Sequence, residues 1–191
     1  MFKMLKPIAL ASLALVAGTA SATKIEFDNL GNTAVHTYKE SGYLMTATTG
    51  KDLVAEAAPD NQLQSAGFTF QPTAGNKDQY FDLDSFFLDF GSARDVSLTF
   101  SVDGGATETI DLDSPSSFFK VNKKTEIYTF TGLDDLTSFT VTGLNKKGLP
   151  TAASEFQIDS IKVTAVPEPG SLALMLAGLG LVGTVARRRR S

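Results

Sequence analysis

The chain has 191 residues, a formal net charge of −4, one histidine, and neither cysteine nor tryptophan. Disulfides, thiolate nucleophiles and Cys-ligated metals are excluded, so stability must come from packing, helped at most by an ion. Six of the 17 basic residues (Lys3, Lys6 and Arg187 to Arg190) but only one of the 21 acidic residues (Glu168) lie at the ends, which leaves 11 basic against 20 acidic side chains between them. A surface of that sign repels nucleic acid and anionic lipid.

The chain opens with the basic stretch Met1-Phe2-Lys3-Met4-Leu5-Lys6, continues through an apolar run over 7–17, and reaches Ala20-Ser21-Ala22. This order predicts a secretory signal peptide over 1–22, cut between Ala22 and Thr23. Residues 23–165 are then the size of one domain.

That domain has the rhythm of short strands. Residues 24–28 alternate, with Ile25 and Phe27 opposite Glu26 and Asp28, and Asn29 to Asn32 supply turn residues. A second strand is expected over 43–49 between Gly42 and Gly50, a helical turn or loop over 51–58, and a strand over 67–71. Residues 80–90 are dense in aromatics and should bend near Ser85, because Phe86-Phe87 breaks their alternation. From 95 to 102 Val96, Leu98, Phe100 and Val102 share one face, with Ser97, Thr99 and Ser101 on the other. Asp103-Gly104-Gly105 is a hairpin signal that should turn 107–112 back onto this strand. Strands over 126–131, 136–144 and 155–164 complete an all-β chain, which predicts an antiparallel β-sandwich. In the closing segment Phe156 and Ile158 take one parity and Ile161 and Val163 the other. Either both faces are covered or a bulge near Asp159-Ser160 resets the register and re-aims Asp159.

The strings Ile25-Glu-Phe-Asp28 and Phe156-Gln-Ile-Asp-Ser-Ile-Lys-Val163 at opposite ends of the domain resemble galactose-binding-like jelly-roll domains. The resemblance implies first and last strands side by side and a structural Ca²⁺ held by Glu26, Asp28 and Asp159. Asp82, Asp84 and Asp89 read as a solvated acidic face, a calcium site, or the acid and base of a glycosidase. Tyr38, Tyr43, Tyr80 and Tyr128 are the rings able both to stack on a sugar and to hydrogen-bond it. His36, beside Thr37 and Tyr38, reads as an exposed loop histidine. No catalytic residue is assigned and no enzyme is expected.

The tail joins three devices in order: Pro167-Glu168-Pro169, an uncharged run over 170–186, and Arg187, Arg188, Arg189 and Arg190. As a helix the run reaches about 25 Å, within the range of a membrane span. The arginines mark its cytoplasmic end. Gly178-Leu-Gly-Leu-Val-Gly183 matches G-x-G-x-x-G, but no strand precedes it and no acidic residue follows, so a nucleotide site is rejected. The tail resembles the PEP-CTERM sorting signal. That resemblance implies an exosortase-type processing enzyme as partner, in bacteria that make exopolysaccharide. The expected protein is an exported cell-surface or extracellular-matrix protein, anchored as a single pass by 166–191 and then released. The alternatives are a carbohydrate-binding module and, third, a carboxylate-dependent glycosidase.

Overall fold

The computed structural model describes residues 21–31, 33–55, 62–75, 80–102, 107–114, 116–122, 125–166, 178, 179 and 182. Its strands, in chain order, are β1 (Ala22–Ile25), β2 (Thr37–Glu40), β3 (Tyr43–Ala47), β4 (Val54–Ala55), β5 (Leu63–Ser65), β6 (Gly67–Pro72) and β7 (Tyr80–Phe87). They continue with β8 (Asp95–Val102), β9 (Thr107–Asp111), β10 (Phe119–Asn122), β11 (Ile127–Phe130), β12 (Leu136–Leu144), β13 (Phe156–Ile158) and β14 (Ile161–Val166).

Every pairing among these strands is antiparallel. One layer runs β1-β14-β7-β11-β10 and the other β9-β8-β12-β6-β3-β2. Pairing of Leu136 with Phe81 ties the two along one side. Both layers belong to one eleven-stranded sheet, and a separate three-stranded sheet, β13-β5-β4, adds Ala55, Leu63, Phe156 and Ile158 to the core. The expected all-β sandwich is therefore present, and the expected neighbourhood of first and last strands is too: Ala22 pairs with Thr164 and Ile25 with Ile161.

The core follows from alternation. Tyr43, Met45, Phe68, Phe70, Val96, Leu98, Phe139 and Val141 turn inward from one layer, and Phe81, Leu83, Phe86, Ile161 and Val163 from the other. Across the interface Phe81 meets Phe70 and Phe139 edge-on, with centroids 5.5 and 6.1 Å apart, and Phe70 stacks on Phe139 at 4.8 Å. Each such ring pair adds about 0.5–1.5 kcal/mol beyond area burial. The outer face of the six-stranded layer carries hydroxyls in register: Thr37, Thr46, Thr69, Thr140, Thr99 and Thr109 form one row, one residue per strand.

Where alternation breaks, the ladder bulges. Lys162 faces Ser85 and Val163 faces Leu83, so Asp84 is the extra residue of β7 and lets both Leu83 and Phe86 point inward. This is the bend expected near Ser85. In β12 Leu136 faces Val102 and Ser138 faces Ser101, so Thr137 plays the same part.

The closing segment differs from both options offered for it. It is two strands in different sheets, joined by Asp159-Ser160 outside either, so Phe156 and Ile158 are buried in one sheet and Ile161 and Val163 in the other. Asp159 is thus not the re-aimed residue of a bulge. Residues 51–55, read as a helical turn or loop, contain β4, and β2, β5 and β10 were not anticipated. The first strand ends at Ile25, earlier than expected. Phe27 is buried from a turn with φ of 60°. Gly143 is required by packing, since a Cβ there would lie 1.9 Å from the Ser154 carbonyl oxygen.

Of the signal peptide expected over 1–22, residues 1–20 lie outside the described residues, as do Pro167, Glu168 and Pro169, most of the run over 170–186, and Arg187 to Arg190, while Ala22 begins β1. Gly178, Leu179 and Val182 have helical backbone. Among the described residues no helix is long and apolar enough to cross a membrane.

Candidate functional site

Glu26 and Asp28 follow β1, and Asp159 precedes its partner β14, so the fold does bring these elements together. The charge at their centre is Lys24. Its ammonium pairs with Glu26, and its pKa is raised first by that hydrogen bond, against the opposing effect of burial, with further attraction from Glu26, Asp159 and Asp28. Among the described residues no group of three or more His, Cys, Asp or Glu is arranged to hold a metal ion. The jelly-roll resemblance places a calcium ion among these carboxylates; in this structure the positive charge that interacts with all three is that of Lys24 on β1.

Asp82, Asp84 and Asp89 hydrogen-bond to different partners. Asp82 Oδ1 accepts a hydrogen bond from Asp135 N at 3.0 Å, and its pKa is raised mainly by burial. Asp84 Oδ2 accepts from the Thr164 hydroxyl at 2.8 Å, holding the bulge. Asp89 lies past β7, where its backbone pairs with Gln157 and its Oδ1 accepts from Gly91 N at 3.0 Å. His36 is exposed beside Asp52, with Nδ1 and Oδ1 3.3 Å apart, as a loop histidine would be. Tyr43 stacks on Phe70 in the core at 4.9 Å, and Tyr38 is buried with its hydroxyl on Glu40.

The fourth sugar-site candidate, Tyr128, has different surroundings. At one end of the sandwich a cleft of about 300 Å³ opens between the segment after β7, the segment after β9 and the β10–β11 hairpin. Register builds it. Val121 of β10 pairs with Tyr128 of β11, Tyr128 pairs with Phe86 of β7, and Leu88 N donates to Glu126 O at 3.1 Å. Leu88, Leu112 and Val121 give the cleft apolar walls, and Asp89, Asp113 and Glu126 give it carboxylates. Glu126 reaches its place through a left-handed backbone, φ of 54°, with its N donating to Asn122 O at 2.7 Å. Such a conformation costs a non-glycine residue about 1–3 kcal/mol and collects at functional sites.

Tyr128 is only 5% exposed, and among the described residues no group accepts a hydrogen bond from its hydroxyl. Burial first, and the nearby charges of Asp113, Glu126 and Asp95 after it, push its pKa up to about 12, so it stays a neutral donor. The Asp95 and Asp111 carboxyls form a coupled hydrogen-bonding pair. Burial and the hydrogen bond with Asp111 raise Asp95 to about 6, while Asp111 is lowered by the same bond. Asp111 also orders the rim, since its Oδ1 accepts from Asp113 N at 3.0 Å and its Oδ2 from the Ser114 hydroxyl at 3.1 Å. Sequence reasoning named Tyr128 and Asp89 but not Asp113 or Glu126. These residues come from three separate segments, and the Asp111-Leu112-Asp113-Ser114 turn was the one local signal for any of them.

The fold thus defines a class, an all-β antiparallel sandwich with an acidic end cleft. The chain's own address lies beyond the sandwich: residues 165–190 match the family model of the PEP-CTERM protein-sorting motif. The match begins inside β14. It supports an exported protein sorted by an exosortase. No curated protein matches the chain.

Proposed function

We propose that the protein is an exported surface or matrix component, carried out by a signal peptide over 1–22. In this reading the helix over 170–186 holds it at the inner membrane until an exosortase processes its tail, after which it is released among exopolysaccharide. The observation that carries this is the sorting-motif match over 165–190. The arginines then keep the C-terminus cytoplasmic. The sandwich serves as structural cargo and has no catalytic role. Its jelly-roll character rests on the side-by-side β1 and β14. Replacing Arg187 to Arg190 with serine in a host that processes the parent tests the orientation: protease protection of the C-terminus should fall, and unchanged protection refutes the anchor.

A second reading, carbohydrate binding, is favoured by the end cleft, where the Tyr128 hydroxyl and three carboxylates face apolar walls. Sugar sites combine an apolar body with a few placed polar groups in this way.

A further inference from the structure

The cleft carries more than a generic sugar site. Asp89, Asp113 and Glu126 supply hydrogen-bond acceptors and negative charge, and among the described residues no basic side chain lines the cleft to neutralise them. An acceptor-only, anionic rim favours a ligand that brings donors and positive charge. The floor makes the opposite demand. Tyr128 is 5% exposed and lines the cleft, and its hydroxyl donates to no described group, so a ligand oxygen entering the cleft can take the hydrogen bond that water otherwise accepts. Leu88, Leu112 and Val121 match a carbon skeleton, and about 300 Å³ fits a ligand of one or two rings better than a folded partner's face.

We propose that this cleft binds a protonated amino sugar within a polysaccharide, its ammonium between Asp113 and Glu126 and a ring or hydroxyl oxygen on Tyr128. The proposal rests on the carbohydrate-binding reading and names the sugar class. Exposed, singly placed carboxylates would bind the ammonium weakly one by one. Here the left-handed backbone of Glu126 and the hydrogen bond from Asp113 N to Asp111 set the backbone from which both carboxylates project, which lowers the ordering cost of binding. A neutral sugar would leave the carboxylates without a counter-charge, and an acidic one would be repelled.

The experiment is calorimetric titration of the full chain in neutral detergent with four probes: a β-1,4-linked glucosamine oligomer, its N-acetylated counterpart, a neutral β-glucan oligomer and a lysine homopeptide. The glucosamine oligomer should bind and weaken with added salt. Tyr128→Phe, which keeps the ring, and Glu126→Gln should each weaken it about tenfold. Thermal melting of both variants checks that they are folded, and Asp134→Asn, away from the cleft, should bind as the parent does. Equal binding of the acetylated or neutral oligomer overturns the amine specificity and leaves carbohydrate binding standing. Tighter binding of the lysine peptide overturns the proposal in favour of a protein partner. Silence toward all three sugars overturns the carbohydrate reading as well.

Discussion

The hydroxyl of Tyr38 donates to Glu40 Oε2 at 2.9 Å, and the same oxygen accepts from the backbone N of Phe27 at 3.2 Å. One carboxylate on β2 therefore holds the left-handed turn that swings Phe27 into the core after β1 ends. Its loss leaves a buried phenol and a strained turn without their acceptor. Glu40→Ala should cost about 1–3 kcal/mol and Tyr38→Phe about 1 kcal/mol. Urea midpoints for the two variants and their combination should show coupling, and strictly additive losses would place the turn's support elsewhere.

Tyr38 and Tyr128 also predict alkaline sensitivity. Burial is the first cause of a raised pKa in both, with Glu40 adding to it for Tyr38 and the acidic rim for Tyr128. Because the folded state holds these protons more tightly than the unfolded chain, their contribution is full below the ordinary tyrosine pKa of about 10 and is lost as pH rises beyond it. Replacing both by phenylalanine should flatten the fall in melting temperature above pH ~10.

The Asp95 and Asp111 pair acts in the acid range. Asp95 is raised to about 6, so its stabilising share is present below the ordinary carboxylate range and is lost as pH rises through about 6. Asp111, lowered, contributes above that range and loses its share as pH falls through its own pKa. Carboxyl titration by NMR should show a step near 6 in the parent. Asp111→Asn should move that step down, and an unmoved step would mean that burial alone sets Asp95.

Core and surface separate on β8. Phe100 is buried with its ring 5.9 Å from Phe118, so Phe100→Ala should cost about 3–5 kcal/mol. Thr99 lies on the outer row with its hydroxyl 2.9 Å from that of Thr109, so Thr99→Ala should cost about 1 kcal/mol or less. Equal unfolding midpoints would invert the face assignment.

Lys24 gives a prediction about calcium. With its ammonium among Glu26, Asp28 and Asp159, the parent should melt at the same temperature in EDTA and in millimolar calcium. Lys24→Met should melt lower, with any calcium response confined to that variant. A calcium-dependent rise in the parent would restore the ion to the site.

The layers were legible wherever one face alternates, as in β3, β6, β8 and β12, because a half-buried antiparallel strand writes its burial into every second residue. The bend near Ser85 was legible for the same reason, since Phe86-Phe87 cannot both point inward on a regular ladder. The split between β13 and β14 was not, because a parity change reads alike for a bulge and for a chain that leaves one sheet for another. Short strands such as β4 and β5 carry too few residues to show a period. The cleft stayed hidden because Asp113, Glu126 and Tyr128 meet only through strand pairing. Lys24 was passed over beside Glu26 because sequence order does not show how near Asp159 returns.

The central claim is that the tail is a sorting address, and Glu168 at the middle of Pro167-Glu168-Pro169 tests it most directly. In a host that processes the parent, maturation of Glu168→Ala is followed by pulse-chase and membrane fractionation. Insertion should be spared and the uncut protein should accumulate in the membrane; maturation and release at the parental rate would contradict the sorting role.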